Sequence, residues 1–262
     1  MAYLIDQNEN IVKHSQYMIA CQLDHIVNIM SSKELSHNKQ VHKIRQRCKK
    51  ARALLLVLKP NLKNKKDFII LNNYLKNLAK KLSISRDQKV MYDTVNKIIK
   101  RHKLKKKKYQ DIKKHIKSIQ INKPTKIKLS QILKDTANCK KALNSSKIKK
   151  NNIISLQNII SKTYKKVLKL QNKAFLHNKA KDFHQYRKWI KYYTYLMQLV
   201  NKDTKILEQL ADILGKEHDI TVLKKYLKDI DLSQKKSFIC YLNKEQNILR
   251  EDIKILTTNI LK

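Results

Sequence analysis

Between residues 41 and 58, apolar side chains recur at alternating spacings of three and four: Val41, Ile44, Cys48, Ala51, Leu55 and Leu58. That period sets them on one face of an α-helix, which Pro60 and Asn61 should end because proline cannot continue the hydrogen-bond ladder. A second row, His42, Arg45, Lys49 and Arg52, follows one position behind the apolar one. The helix is therefore expected to carry cations along the edge of its own buried face. Phe183, Tyr186, Ile190, Tyr193, Met197 and Val200 repeat the apolar pattern 142 residues later, trailed again by His184, Arg187 and Lys191.

The same period predicts helices over 8–32, 39–59, 65–82 and 86–119, with another over 127–145 after Pro124. Further helices are expected over 151–178, 181–201, 203–214, 217–230 and 234–260, with Gly215 a left-handed C-cap between two of them. The stretch 8–32 corresponds to 151–177, and LSISRDQKVM at 82–91 aligns with LGKEHDITVL at 214–223. Leu82, Asp87 and Val90 match Leu214, Asp219 and Val222, and Arg86 stands where His218 stands. Such self-similarity reads as an internal duplication, with halves at roughly 1–148 and 149–262. Wide seams and short connections favour antiparallel bundles.

Composition sharpens this picture. One Gly and two Pro in 262 residues cannot supply the turns of strand-rich or Rossmann-like folds, so an all-α protein is expected. The formal charge is +40, from 60 Lys and Arg against 20 Asp and Glu, and a chain so charged repels itself unless an anionic partner neutralises it. Cys21, Cys48, Cys139 and Cys240 lie far apart, without the paired spacing of a zinc or redox site, and read as reduced thiols. The N-terminal stretch lacks a signal peptide's apolar core, and no run approaches the roughly 20 apolar residues that span a bilayer. A soluble cytoplasmic protein with no membrane association is the expectation.

HKIRQRCKKAR followed by SRD, and FHQYRKWIKYYTY followed by LGKEHDITVL, resemble the CHAD family, the conserved-histidine α-helical domain. The resemblance covers nearly the whole chain and treats 1–262 as one domain. It implies two helical bundles related by a pseudo-two-fold axis, whose basic helices face a central groove or pore that binds inorganic polyphosphate. Carried over by position, the first motif falls on His42, Arg45, Lys49, Lys50 and Arg52, with Arg86 and Asp87 in the following turn. The second falls on His184, Arg187, Lys188, Lys191 and Tyr195, with His218 and Asp219. Thr194 replaces the last Arg of the second motif, Ser83 the turn glycine of the first, and Lys stands for Arg at 49, 50 and 191. Lysine binds phosphate as a point charge without arginine's bidentate fork, which points to a less specific grip by the second half.

The residues support an anion cleft without the family. Cations at i, i+3, i+7 and i+10 share one ridge, so an extended anion could meet a charge about every 5 Å at a rise of 1.5 Å per residue. His42 and His184 are near neutral at pH 7 and could gain a charge when an anion binds. Asp87 and Asp219 are expected at helix N-termini or in ion pairs rather than in catalysis. His218-Asp219 could suggest a metal-dependent phosphohydrolase, but its counterpart Arg86 cannot ligate a metal, and no phosphate-binding glycine loop is possible. KLKKKKYQ at 103–110 fits a solvated tip as well as a polyanion contact, and Trp189, Tyr192, Tyr193 and Tyr195 fit core packing better than base stacking. The expectation is a polyphosphate binder without catalytic activity, cofactor or metal, associated with polyphosphate granules. The alternative is a nucleic-acid-binding basic helical protein, since +40 confers general affinity for DNA and RNA.

Overall fold

Asparagine takes over the turn work that one glycine cannot do. Asn10 and Asn64 cap helices by accepting from backbone N–H groups: Asn10 Oδ1 from Val12 and Lys13, both at 3.1 Å, and Asn64 Oδ1 from Lys66 at 2.9 Å. Asn152, Asn178 and Asn201 adopt left-handed backbone with φ of 57°, 50° and 53°, a conformation their short polar side chain tolerates. The computed structural model describes residues 3–5, 10–118 and 129–260, and the side chains of all of these except 83–86, 129, 259 and 260. Among the described residues the helices are α1 (Ile11–Ser31), α2 (His37–Leu58), α3 (Lys65–Lys81), α4 (Ser83–Arg101), α5 (Gln110–Ser118), α6 (Leu129–Ser145), α7 (Leu156–His177), α8 (Ala180–Leu199), α9 (Lys205–Lys228) and α10 (Lys235–Ile260). The only β-pairing among these residues is an isolated bridge between Leu62 and Ile148, so the fold is all-α. The Pro124 turn and the start of the helix expected from 127 lie outside the described residues.

The chain forms two compact units, each drawing on both halves of the sequence. The first comprises Met1–Ile84, Pro124–Lys166 and Lys191–Thr204. Its core holds the whole expected α2 seam, every member of which is at most 3% exposed. Burying each leucine of that seam is worth about 2 kcal/mol relative to exposure. Past Ala51 the helix is buried more widely, since Ala53, Leu54 and Val57 are also enclosed. Asn61, fully buried, clamps two connections: its Nδ2 donates to the carbonyls of Val57 and Ile154 at 3.0 and 3.2 Å, and its Oδ1 accepts from Ile154 N at 2.8 Å.

The second unit comprises Ser85–Lys123, Val167–Ile190 and Lys205–Lys262. Two sequence expectations fail here. The helix predicted over 86–119 stops at Arg101; Lys103 turns left-handed at φ 49°, and a 3₁₀ turn over Lys106–Tyr109 leads into α5. Like charges one turn apart weaken the helix through KLKKKK, while the buried ring of Tyr109 packs at 5.0 Å from that of Phe238. The predicted break at 215 is absent, because α9 runs unbroken from Lys205 to Lys228 and Gly215 has no positive φ. Buried Leu210, Leu214, Ile220 and Leu223 hold this helix on either side of the glycine.

In α8 the buried face changes partway along. Phe183, Tyr186 and Ile190 are buried as the pattern predicts, but farther on Tyr192, Tyr195, Leu196 and Leu199 are buried instead of Tyr193, Met197 and Val200. The change falls where the helix passes from the second unit to the first. Each stretch turns its apolar side to the core of its own unit.

Candidate anion-binding faces

In the first unit, the cations of α2 stand beside the buried seam as expected. Arg45, Lys49, Lys50 and Arg52 are half-buried, whereas His42 is exposed. Arg45 Nη1 donates to the Ala79 carbonyl at 2.5 Å, and Arg52 Nε to Asn72 Oδ1 at 2.9 Å. Arg52 also lies 5.7 Å from the centre of the Tyr192 ring. Lys50 Nζ sits 4.5 Å from the Tyr3 ring and 5.8 Å from the Tyr195 ring, and the Tyr3 hydroxyl donates to the Lys50 carbonyl at 3.1 Å. These rings, the amide and the carbonyl hold the cations in place beside the seam. Lys191, half-buried, belongs to the same unit. Tyr192 and Tyr195 thus pack against cations in a buried setting, as the core assignment of these aromatics requires.

In the second unit, the motif residues of α8 meet those of α9. His184 Nδ1 and His218 Nδ1 are 3.3 Å apart, with ring centres at 4.5 Å and planes inclined by 36°. One ring donates and the other accepts, so the bond requires unlike tautomers. Burial, followed by Arg187 and Lys188, lowers the His184 pKa from the ordinary histidine value. Three residues along α8, the Arg187 guanidinium lies over Gly215: a methyl group at the glycine would come within 3.3 Å of Nη2 and 3.5 Å of Nε. Here the chain's single glycine allows an arginine to approach the helix closely, and no turn is involved. Lys188 is half-buried on the same stretch of α8, and Asp219 is half-buried on α9. Arg86 lies outside the residues whose side chains are described.

The α2 face carries cationic and neutral donors, and the α8–α9 face carries them beside Asp219; donors of these kinds attract and orient oxyanions. Among the described residues no cluster of three His, Cys, Asp or Glu could hold a metal ion, and no helix is long and apolar enough to cross a membrane. The motif positions did not point to Tyr3, Asn72 or the Ala79 carbonyl, because these come from distant segments. Gly215 did carry a signal: a lone glycine inside an otherwise continuous helical pattern is tolerated at a cost and can have a packing reason.

The fold is similar to that in the crystal structure of the CHAD domain from the plant Ricinus communis, with a TM-score of 0.68 at 14% identity, covering 98% of this chain and 94% of that one. It is also similar to PptA from Streptomyces chartreusis, with a TM-score of 0.66 at 9% identity over 94% of this chain and 96% of that one. Comparison with curated proteins finds no match. A family model for the CHAD domain matches residues 20–228, well over half of the sequence and including both motif-bearing helices, α2 and α8. The chain therefore belongs to the CHAD domain family.

Proposed function

We propose that this chain binds inorganic polyphosphate through the basic faces of α2 and of α8–α9, as a recruiting module at polyphosphate granules and not as an enzyme. Polyphosphate binding is associated with the family. The observation that carries the reading is the α2 ridge, on which Arg45 and Arg52 are half-buried and anchored by a carbonyl and an amide oxygen at 2.5 and 2.9 Å, respectively. Such anchors reduce the rotamer freedom lost when a polyanion binds. A flexible phosphate chain can adjust to one charge about every 5 Å along such a ridge. In this reading arginine, lysine and histidine act as donors to phosphate oxygens and no reaction step is invoked. The two motif-bearing helices are read as duplicated copies of one binding element.

The test is binding of labelled long-chain polyphosphate across a salt series, with DNA and RNA as competitors at equal phosphate concentration. Two charge-matched variants separate site from bulk charge: Lys49→Gln/Arg52→Gln/Lys188→Gln in the faces, and Lys105→Gln/Lys106→Gln/Lys107→Gln at the exposed turn. The face variant should weaken binding about tenfold or more, with a shallower salt slope, while the turn variant stays near wild type. Equal losses in both variants, together with equal competition by nucleic acid, would reduce the protein to a general polyanion binder.

A further inference from the structure

A cavity of about 350 Å³ in the second unit has no counterpart in the motif. Lys224, Lys225 and Lys228 of α9 line it, with Gln246 and Arg250 of α10, and Ala180, the first residue of α8, contributes to its lining. Its floor is a buried polar network. Glu217, 1% exposed, accepts on Oε1 from Arg250 Nη2 at 2.7 Å, Arg250 Nε at 3.2 Å and Gln246 Nε2 at 2.8 Å. Gln246 Nε2 also donates to Thr221 Oγ1 at 2.9 Å, which fixes the amide so that its Oε1 accepts from Lys224 Nζ at 2.9 Å. Arg250 Nη1 is held by the carbonyl and side-chain oxygens of Asn178 at 2.9 and 3.0 Å.

Charge here is unbalanced. Four cations line the cavity; Arg250 is paired with Glu217 below, so Lys224, Lys225 and Lys228 carry the net positive charge. Asp182, the carboxylate in the first turn of α8, is engaged by Lys173 and His177 of α7. Burial and then Arg250 push the Lys224 pKa down; Glu217 opposes them and Lys228 adds to them. The N-terminus of the 20-residue α8, at Ala180, brings the positive end of a helix dipole to the same place.

We propose that this cavity takes a compact phosphate dianion, either free orthophosphate or the terminal phosphoryl group of a phosphate chain. In the second form the inference rests on the polyphosphate reading above. A ridge offers one cation about every 5 Å, which suits the singly charged interior units of a chain, whereas orthophosphate or a terminal phosphoryl group can lose a second proton near neutral pH and carry up to about −2. Gathering three lysines at one cavity suits that denser charge. The cavity also adjoins the histidine pair: Thr221 follows His218 by three residues on α9, and Ala180 precedes His184 by four on α8. A chain ending in the cavity therefore continues within about one helical turn, ~5 Å, onto His184 and His218.

Calorimetric titration of the full chain with orthophosphate, linear tripolyphosphate and cyclic trimetaphosphate, which has no terminal group, tests the proposal. Lys225→Gln/Lys228→Gln changes two exposed lysines and leaves the buried floor in place, which an unchanged melting midpoint verifies. In this variant, orthophosphate binding or the preference for linear over cyclic phosphate should fall about tenfold, or 1.4 kcal/mol. Loss of orthophosphate binding with no linear preference in wild type identifies free phosphate as the ligand; loss of a linear preference identifies the chain end. Wild-type binding of all three probes by the variant would overturn the site. If the Lys49/Arg52/Lys188 variant keeps full long-chain affinity while the cavity variant loses orthophosphate, the polyphosphate reading of the faces fails and the cavity stands.

Discussion

Burial, with Arg187 and Lys188 beside it, lowers the pKa of His184, and this has consequences for both stability and binding. The unfolded chain takes up this proton near pH 6.5, whereas the folded chain takes it up only at lower pH. As pH falls through the unfolded value the unfolded state gains the proton first, so this group's contribution to stability is complete above that value and is lost toward the folded one. A phosphate placed against the histidine pair favours the charged ring and reverses the shift. Polyphosphate affinity at constant ionic strength should therefore rise as pH drops below about 6.5, and rise less in His184→Gln. Parallel pH profiles for the two proteins would remove His184 from the binding face. The histidine was legible as a motif position, but its pairing with His218 at 3.3 Å was not, because the two residues lie 34 positions apart on different helices.

At the scale of elements, α9 is where local and tertiary preferences conflict. Glycine inside a helix is about 1 kcal/mol less favourable than alanine, and the sequence pattern accordingly suggested a break there. The helix continues because its apolar residues are buried on both sides of Gly215 and because the missing Cβ admits Arg187. Gly215→Ala should keep the melting midpoint at or above that of wild type, since the group in its way is the flexible end of a side chain. The same variant should bind polyphosphate more weakly, because the guanidinium must shift by a few tenths of an ångström. A fall in midpoint with unchanged binding would assign the glycine a packing role alone. The α2 seam was fully legible from its period, whereas the left-handed turn at Lys103 and the rotation of the α8 seam were not: the first depends on the burial of Tyr109, the second on which core each stretch of α8 faces.

For the whole molecule, a net charge of +40 is its own source of instability. Raising salt from about 0.05 to about 0.5 M shortens the screening length severalfold and should raise the melting midpoint. Long-chain polyphosphate at low salt should raise it by a larger amount, since a ligand at 100 times its Kd stabilises by about 2.7 kcal/mol. A midpoint insensitive to both additions would mean that the cations are already compensated within the fold. The sequence alone determined the all-helical class, the α2 seam with its cationic edge, the scarcity of glycine turns and the net charge of +40, because periodicity, turn chemistry and charge are local or summed properties. Tertiary structure alone decided how the two units share the chain, which partners anchor Arg45 and Arg52, that Arg187 lies over Gly215, and that three lysines line a cavity above the Arg250–Glu217 pair. Those features depend on contacts between residues far apart in the chain, and a one-dimensional pattern of apolar and charged positions does not specify which distant segments meet.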